Sequence, residues 1–281
     1  MEVSVKKKVW PILMVLSIVL VLVSLLWRST AKLAEENIGL NVVFIDVGKA
    51  DSILVQTADF NMLVDTGTSE DAQAIRRILN QNNVEKLDYL VLTHLDKDHI
   101  GSTPYILENY EVKHIIQPEY EKDSEEHTAY LEALTKAGIE PVYLKQEGDI
   151  ELGDGNRIHF YPPKKDSYEQ SNDYSLVTSI TYGDHSFLLT GDAEKERMEE
   201  IVEQISGAYT VVKIPHHGDY KKMLEEVLEK TSPEYCIVST SEDNLEEKLT
   251  ECLDNLAIPS YYTFNGTVIM RTDGKELTII Q

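Results

Sequence analysis

The sequence predicts a mixed α/β domain in which two sheets face each other and helices cover their outer sides. Its first strands are short and closely spaced, which is typical of antiparallel pairing. Apolar strands then alternate with segments whose apolar residues recur with a 3.6-residue period, which indicates strand–helix alternation. The same order, short strands and then alternation, occurs a second time along the chain. Two packed mixed sheets with helices outside satisfy this pattern.

A non-globular segment precedes this domain. Residues 9–27 contain no charge, and about 20 apolar residues span a bilayer as a helix. The lysines of a basic stub over residues 1–8 favour a cytoplasmic N-terminus. We therefore expect a single-pass transmembrane anchor, a linker over residues 28–39 and an extracellular domain over residues 40–281. A cleaved signal peptide and a secreted product are the alternative, because residues 29–31 form a small-x-small site.

The first half of the domain is predicted to contain mostly strands, interrupted by two helices. An apolar stripe at helical spacing predicts the first helix over residues 69–82. Asp123 and Glu126 resemble a capping box that opens the second helix, which is expected to end at Gly138. The predicted strands cover residues 40–46, 52–56, 61–64, 87–92, 113–116, 142–144 and 157–161.

The second half of the domain begins with a loop over residues 162–173, which has adjacent prolines, several charges and no periodicity. A charged helix with Met198 and Ile201 on its inner side follows the second strand of the next hairpin. Two more helices are expected near residues 220–230 and 244–256. The predicted strands of this half cover residues 176–182, 186–190, 211–214, 235–239, 267–271 and 276–280.

Composition limits the classes of partner. The 281 residues have a formal net charge of −23 at pH 7, which disfavours capture of nucleic acid by a broad basic face. A local basic groove or a metal-assisted contact remains compatible with this charge. The two cysteines, Cys236 and Cys252, are too few for a disulfide framework and are expected to be core thiols. The sequence indicates no protein partner.

Polar side chains at the ends of four predicted strands give the strongest indication of chemistry. His94, Asp96, Asp98 and His99 fall within six residues, directly after the strand over residues 87–92. Neutral imidazoles and carboxylates at such spacing suit a divalent metal ion. Three further loops carry the same ligand types at strand ends: Asn172 and Asp173, Asp192, and His216 and His217. Each loop alone would also fit a helix cap or a packed pair, but together they indicate a metal centre.

These motifs resemble the metallo-β-lactamase superfamily, and most closely the hydrolase domain of ComEC/Rec2-type competence proteins. The resemblance extends over residues 40–281 and implies an αββα sandwich with metals at one edge of the sheets. It rests on the segments FIDVG (44–48), DS (51–52), VDTG (64–67), LTHLDKDHIG (92–101), NDYSLV (172–177), LTGD (189–192) and IPHHG (214–218). The sequence departs from this branch at Lys49 and Ala50, where glutamine and glycine are usual.

The family pattern assigns ligands residue by residue. It implies that His94 and Asp96 face one ion, and that Asp98 and His99 face the other. Asp192 would bridge both ions. Asp96 stands where most of the superfamily has a second histidine, although it agrees with the competence-type branch.

Two ligand positions stay open in this pattern. Either His217 or His216 would complete the second site. The third ligand of the first site is a histidine in most of the superfamily, and here Asn172, Asp173 or a water would serve. The resemblance also places Asp98 and His217 among the catalytic residues.

The resemblance implies hydrolysis by a water that two divalent ions activate. Carboxylate oxygen in place of imidazole makes the first site harder, which favours Mn²⁺ or Mg²⁺, and Zn²⁺ remains compatible with the second site. We therefore expect a membrane-anchored extracellular phosphodiesterase with two Mn²⁺ or Zn²⁺ ions and with DNA as its first candidate substrate. The alternatives are a cell-wall phosphoesterase of the teichoic-acid phosphorylcholine type and a non-catalytic tethered interaction module.

Overall fold

The computed structural model describes residues 39–281, which form two facing sheets with helices on both outer sides. This arrangement confirms the predicted αββα sandwich. The predicted basic stub, the transmembrane anchor and the linker as far as residue 38 lie outside the described residues. Among the helices of residues 39–281, none has the length and apolar character needed to cross a bilayer.

Fifteen strands and seven α-helices make up the described chain, together with short 3₁₀ turns. The strands are β1 (Leu40–Phe44), β2 (Ile53–Gln56), β3 (Asn61–Val64), β4 (Lys86–Val91), β5 (Glu111–Gln117), β6 (Val142–Tyr143), β7 (Gly148–Gly153), β8 (Asn156–Tyr161), β9 (Val177–Tyr182), β10 (His185–Leu189), β11 (Val211–Lys213), β12 (Tyr235–Val238), β13 (Ser260–Tyr262), β14 (Val268–Thr272) and β15 (Leu277–Ile280). The helices are α1 (Ala72–Gln81), α2 (Lys97–Ile100), α3 (Thr103–Asn109), α4 (Glu125–Ala137), α5 (Lys195–Gln204), α6 (Met223–Thr231) and α7 (Glu247–Asn255).

Each sheet has an antiparallel half and a parallel half. The first sheet has the strand order β15-β14-β1-β2-β3-β4-β5-β6, and its pairs from β3 to β6 are parallel. The second sheet has the order β13-β12-β11-β10-β9-β8-β7, and its pairs from β10 to β13 are parallel. Ligands in α/β proteins commonly bind beyond the carboxyl ends of parallel strands. The loops after β4, β10 and β11, which carry the predicted metal ligands, follow such ends.

The apolar core has three layers, which explains why the central strands are apolar on both faces. In β1, Leu40 and Phe44 pack between the two sheets, whereas Val43 packs with the helices outside the first sheet. In β10, Phe187 packs between the sheets and Leu188 packs under the helices of the second sheet. Because successive strand residues point to opposite faces, burial of both faces requires near-continuous apolar runs.

The helix starts differ from those predicted. α1 begins at Ala72 instead of residue 69, because the Asp71 carboxylate accepts hydrogen bonds from the Thr68 amide and hydroxyl (both 2.7 Å) in a preceding turn. The cap of α4 is Ser124 and not Asp123, since Ser124 Oγ accepts the amide hydrogen of His127 (3.1 Å). The predicted end of this helix at Gly138 is confirmed, and the glycine has a φ of 68°.

The sequence analysis missed two edge strands and two short helices. β7 and β13 lie at the edges of the second sheet, where each strand pairs on one side only. β7 is at most half-buried along its length, so it lacks the apolar run that identifies a central strand. The short helix α2 contains the second half of the first metal-ligand motif, and α3 follows it directly, so neither was separated from that loop.

A buried arginine joins the loop before β9 to the second sheet and to α5. Arg197 is 0% exposed, and its Nε donates a hydrogen bond to the carbonyl of Ser175 (2.8 Å). Its guanidinium also pairs with Glu200 (2.9 Å) and donates to the carbonyl of Tyr161. Arg197 therefore fixes the position of the segment that contains Asn172.

We expect Arg197→Met to lower the free energy of unfolding by about 3–5 kcal/mol, because it leaves the buried Glu200 without its partner. Urea denaturation followed by circular dichroism would measure the loss. The matched control is Lys195→Met on the same helix, whose side chain is 77% exposed and which should change the stability by less than about 0.5 kcal/mol. Equal stabilities of the two variants would contradict the role given to Arg197.

Candidate metal centre

His99, in the loop after β4, is oriented by a buried carboxylate. The histidine lies on α2 and is completely buried, and its Nδ1 lies 2.8 Å from Asp65 Oδ2. This contact directs Nε2 towards Asp192 Oδ2, at 3.2 Å. Metal-binding histidines commonly donate their other ring N–H to a carboxylate, which fixes the tautomer and the ring orientation. The Asp65 contact gives His99 this arrangement.

His217 reaches the same point from the end of β11 through an unusual turn. His216 and His217 have positive φ values of 49° and 53°, a region that residues other than glycine populate sparsely. The turn buries His217, whose Nδ1 donates to the Ser239 carbonyl (3.0 Å). Its Nε2 then lies 3.1 Å from Asp192 Oδ2 and 3.3 Å from Asp98 Oδ2.

Asp192 lies at the end of β10, and a glycine allows its close approach to the neighbouring loops. Gly191 has a φ of 55°, and a Cβ at this position would lie 2.9 Å from Ser175 Oγ. The same hydroxyl accepts the amide hydrogen of Asp192 (3.0 Å). Any larger residue at position 191 would therefore disturb the hydrogen bond that holds Asp192.

Four of the predicted ligands converge in what we call the four-residue group: Asp98, His99, Asp192 and His217. One ligand atom from each lies within 4.8 Å of the others, and all but Asp98 are buried. The Nε2 atoms of His99 and His217 and Asp192 Oδ1 make no hydrogen bond. Most buried polar atoms have a partner, so this convergence of unpaired nitrogen and oxygen atoms fits a divalent cation.

His94 and Asp96 lie beside this group. His94 is completely buried, its ring centroid lies 4.0 Å from that of His99, and its Nε2 makes no hydrogen bond. That nitrogen is 3.9 Å from Asp96 Oδ1. Burial, together with the neighbouring His99, lowers the pKa of His94 to about 3. His94 is therefore neutral, which is the form that binds a metal.

The remaining predicted ligands lie outside the four-residue group. Asp173 Oδ1 accepts the amide hydrogens of Glu194 and Arg197 (both 3.0 Å), so it caps the start of α5. Asn172 Nδ2 lies 3.2 Å from both Glu194 Oε1 and His216 Nε2. The structure thus places Asn172 and His216 together at the rim of the site, and it brings His217 rather than His216 to the centre.

Three buried charged residues received no role in the sequence analysis. Asp51 and Asp65 form a second group of potential ligands with His99. Lys213 is completely buried, makes an ion pair with Asp51 and donates to the Gly191 carbonyl (3.1 Å). Lys213 could have been recognised in the sequence as a lysine at the end of the otherwise apolar strand β11, because a lysine buried there requires a charged partner.

Opposite charges control the protonation of the centre. Burial alone would lower the pKa of Lys213, but the Asp51 and Asp192 carboxylates outweigh it and raise this pKa. Burial would likewise lower the pKa of His217, yet Asp192 raises it to about 9. Burial would raise the pKa of Asp192, and His217 and His99 instead hold it well below the usual range.

Comparison with known proteins agrees with this geometry. A family model described as the metallo-beta-lactamase superfamily matches residues 45–241. ComE operon protein 3 of Bacillus subtilis is 28% identical over 196 residues, which are 63% of this chain and 25% of that protein. Competence protein ComA of Neisseria gonorrhoeae is 30% identical over 233 residues, which are 81% of this chain and 30% of that protein.

The predicted resemblance to competence proteins is confirmed, although the chain spans only about a quarter to a third of the length of these curated relatives. Among solved structures, the metallo-beta-lactamase fold protein YhfI of Bacillus subtilis superposes with a TM-score of 0.57 at 12% identity. The match covers 83% of this chain and 100% of that one. At this identity the likeness shows the fold alone.

We expect binding of Mn²⁺ to release a proton from His217, because a pKa of about 9 leaves its ring protonated at pH 7 while a metal requires the neutral ring. The raised pKa stabilises the metal-free fold fully when the pH lies below the unfolded-state histidine pKa of about 6.5. This stabilisation is lost as the pH rises through the folded-state pKa of about 9. Affinity for Mn²⁺ should therefore increase with pH, by up to about tenfold per unit for this proton.

Calorimetric titration in buffers of different ionisation enthalpy would count the protons released by Mn²⁺ binding. The adjacent histidines provide a matched pair: His217→Gln should bind Mn²⁺ weakly, whereas His216→Gln should keep both the affinity and the proton release. Affinity that is independent of pH, with no proton released, would contradict this assignment.

Proposed function

Because this chain belongs to the metallo-beta-lactamase superfamily, we propose that it is a divalent-metal-dependent phosphodiesterase whose first candidate substrate is DNA. One observation carries the proposal: the buried Nε2 atoms of His99 and His217 converge on Asp192 without a hydrogen bond. The chain thus has the fold and the ligand types of a metal-dependent hydrolase. The competence proteins among its relatives support DNA as the substrate to test first.

The site residues form two sets, one for each of two metal ions. The four-residue group would hold one ion, and His94 with Asp96 would contribute to a second. When bound, the ions would activate a water and stabilise negative charge on the nonbridging phosphate oxygens. Carboxylate oxygens from Asp96, Asp98 and Asp192 make the centre hard and anionic, which favours Mn²⁺ over Zn²⁺.

The resemblance implies catalytic roles for Asp98 and His217, whose side chains contact each other in the four-residue group. The Asp98 side chain is 25% exposed and is therefore the most accessible member of the four-residue group. Burial would raise its pKa, but His217 and His99 outweigh this effect and hold the pKa below the usual range. Asp98 therefore remains a carboxylate that can hold a cation or orient a water at the mouth of the site.

Lysines at the rim support a phosphate-containing substrate despite the acidic composition of the chain. Lys49 Nζ lies 2.9 Å from Asp219 Oδ1, and Lys221 Nζ lies 3.9 Å from Glu194 Oε2. Both lysines are partly exposed. Ammonium groups at the rim would attract a phosphodiester to a centre whose own residues are anionic. Lys49 is also one of the two positions, with Ala50, at which the sequence departs from the competence-type branch.

We expect the metal-stripped protein to hydrolyse plasmid DNA and bis(p-nitrophenyl) phosphate after reconstitution, faster with Mn²⁺ than with Zn²⁺. Asp192→Ala should reduce the rate by about 10²-fold or more, because it removes a ligand at the charge-stabilising centre, and Asn172→Ala at the rim should reduce it less.

Chelator should lower the melting temperature of the wild type and barely affect Asp192→Ala, since bound metal stabilises only the fold that holds it.

A panel of substrates separates the alternatives. Hydrolysis of phosphorylcholine esters without cleavage of DNA would replace the nuclease by the cell-wall phosphoesterase. A protein that retains no metal and hydrolyses none of these substrates would instead be the non-catalytic interaction module.

We further propose that residues 9–27 anchor the protein in the cell membrane with the catalytic domain outside, since this segment is uncharged and follows a basic stub. Protease added to intact cells should then remove the domain, while a cytoplasmic control protein stays intact. Full protection of the domain would contradict the extracellular location. Recovery of the domain in the medium would indicate the secreted alternative.

A further inference from the structure

A lysine occupies the carboxylate that the second metal ion would need. Lys122 Nζ makes an ion pair with Asp96 Oδ1. The other oxygen, Asp96 Oδ2, accepts a hydrogen bond from Ser171 Oγ (3.1 Å), and Lys122 also donates to that hydroxyl (3.2 Å). Both oxygens of the Asp96 carboxylate therefore already have protein partners.

The position of Lys122 is set by the loop between β5 and α4. His127 Nδ1 donates a hydrogen bond to the Lys122 carbonyl (2.6 Å), and Ser124 caps the helix that begins directly afterwards. Two residues earlier, the Tyr120 hydroxyl accepts the amide hydrogen of Leu95, which lies in the metal-ligand loop. The loop thus holds Lys122 against Asp96 from both sides, and the Lys122 side chain is only 26% exposed.

The two metal positions therefore differ in which positively charged groups of the protein an entering metal ion would have to displace. In the four-residue group, Asp192 Oδ2 faces only the rings of His99 and His217, and Lys213 lies 3.8 Å away from the other oxygen. Beside it, the unpaired Nε2 of His94 faces an Asp96 whose charge an ammonium group already neutralises. A cation entering there must displace an ammonium group from Asp96, whereas a cation entering the four-residue group meets imidazole rings, which lose a proton and then serve as ligands themselves.

We propose that Lys122 controls the occupancy of the second metal position, so that a second divalent ion binds beside His94 only by displacing the lysine from Asp96. The inference rests on the proposed metal-dependent function and adds the order in which the two positions bind metal ions. The four-residue group fills first, and the position beside His94 fills at higher metal concentration. Lys122 thereby sets the concentration at which the centre becomes dinuclear.

Calorimetric titration of the metal-stripped full-length protein with Mn²⁺, in detergent, tests this proposal without measuring activity. The wild type should show a tight event and a weaker one, and electron paramagnetic resonance should detect coupled Mn²⁺ pairs only after the second. Lys122→Met should tighten the second event by roughly two- to fivefold, the upper part of the range expected when a partly exposed ion pair no longer competes. The first event should stay within about twofold of the wild type.

Two further variants serve as controls. Lys145→Met removes another lysine–carboxylate pair, with Glu119 on the same loop as Lys122. It should change neither event because both of its side chains are more than half exposed and neither partner is a proposed ligand. Lys122→Arg keeps the positive charge and should retain the weak second event. Lys122→Gln repeats the test with a polar side chain in case Met disturbs the loop.

An unchanged second affinity in both Lys122→Met and Lys122→Gln would overturn the proposal and leave the proposed function intact. Two equally tight events in the wild type would overturn it as well. Absence of any Mn²⁺ binding by the wild type would instead remove the proposed metal-dependent function, and this inference with it.

Discussion

Negative charge buried around one histidine is the constraint on which the centre of this structure depends. Asp51, Asp65 and Asp192 are each at most 2% exposed, and all approach His99 or its immediate neighbours. A buried carboxylate without compensation is strongly destabilising. Around His99, these carboxylates are neutralised by the permanently charged Lys213 and by imidazoles that accept protons. These imidazoles can exchange their protons for a metal, whereas the ammonium group of Lys213 stays in place.

The two sheets supply these charges from segments that are distant in sequence. β3 leads into Asp65, β4 leads into the His94 loop, and β10 and β11 lead into Asp192 and His217. The strands are apolar on both faces and packed in layers, so their ends are fixed by the core rather than by the polar residues themselves. Rigid strand ends can hold these carboxylates and imidazoles close together before any ligand binds.

The layers of the fold could be predicted from the sequence because apolar periodicity is a local property, and the metal motifs could be recognised because their residues are contiguous. The remaining details depend on tertiary contacts. Asp123 and Ser124 are both good cap residues, and only the geometry of the loop selects the serine. His216 and His217 are indistinguishable in sequence, and two consecutive left-handed residues decide which ring is buried. The partner of Asp96, Lys122, lies on another loop and no local pattern indicates it.

The strand order of the first sheet has a consequence for how this chain folds during synthesis. β1 is the first strand of the described chain, and it pairs on one side with β14, whose register joins Leu40 to Thr272. Until the ribosome has made β14 and β15, one edge of β1 has no neighbour in its sheet. Contacts between such distant segments slow folding, and an open strand edge invites pairing with other chains. The open edge of β1 is therefore exposed to pairing with other chains until the last strands of the domain have been made.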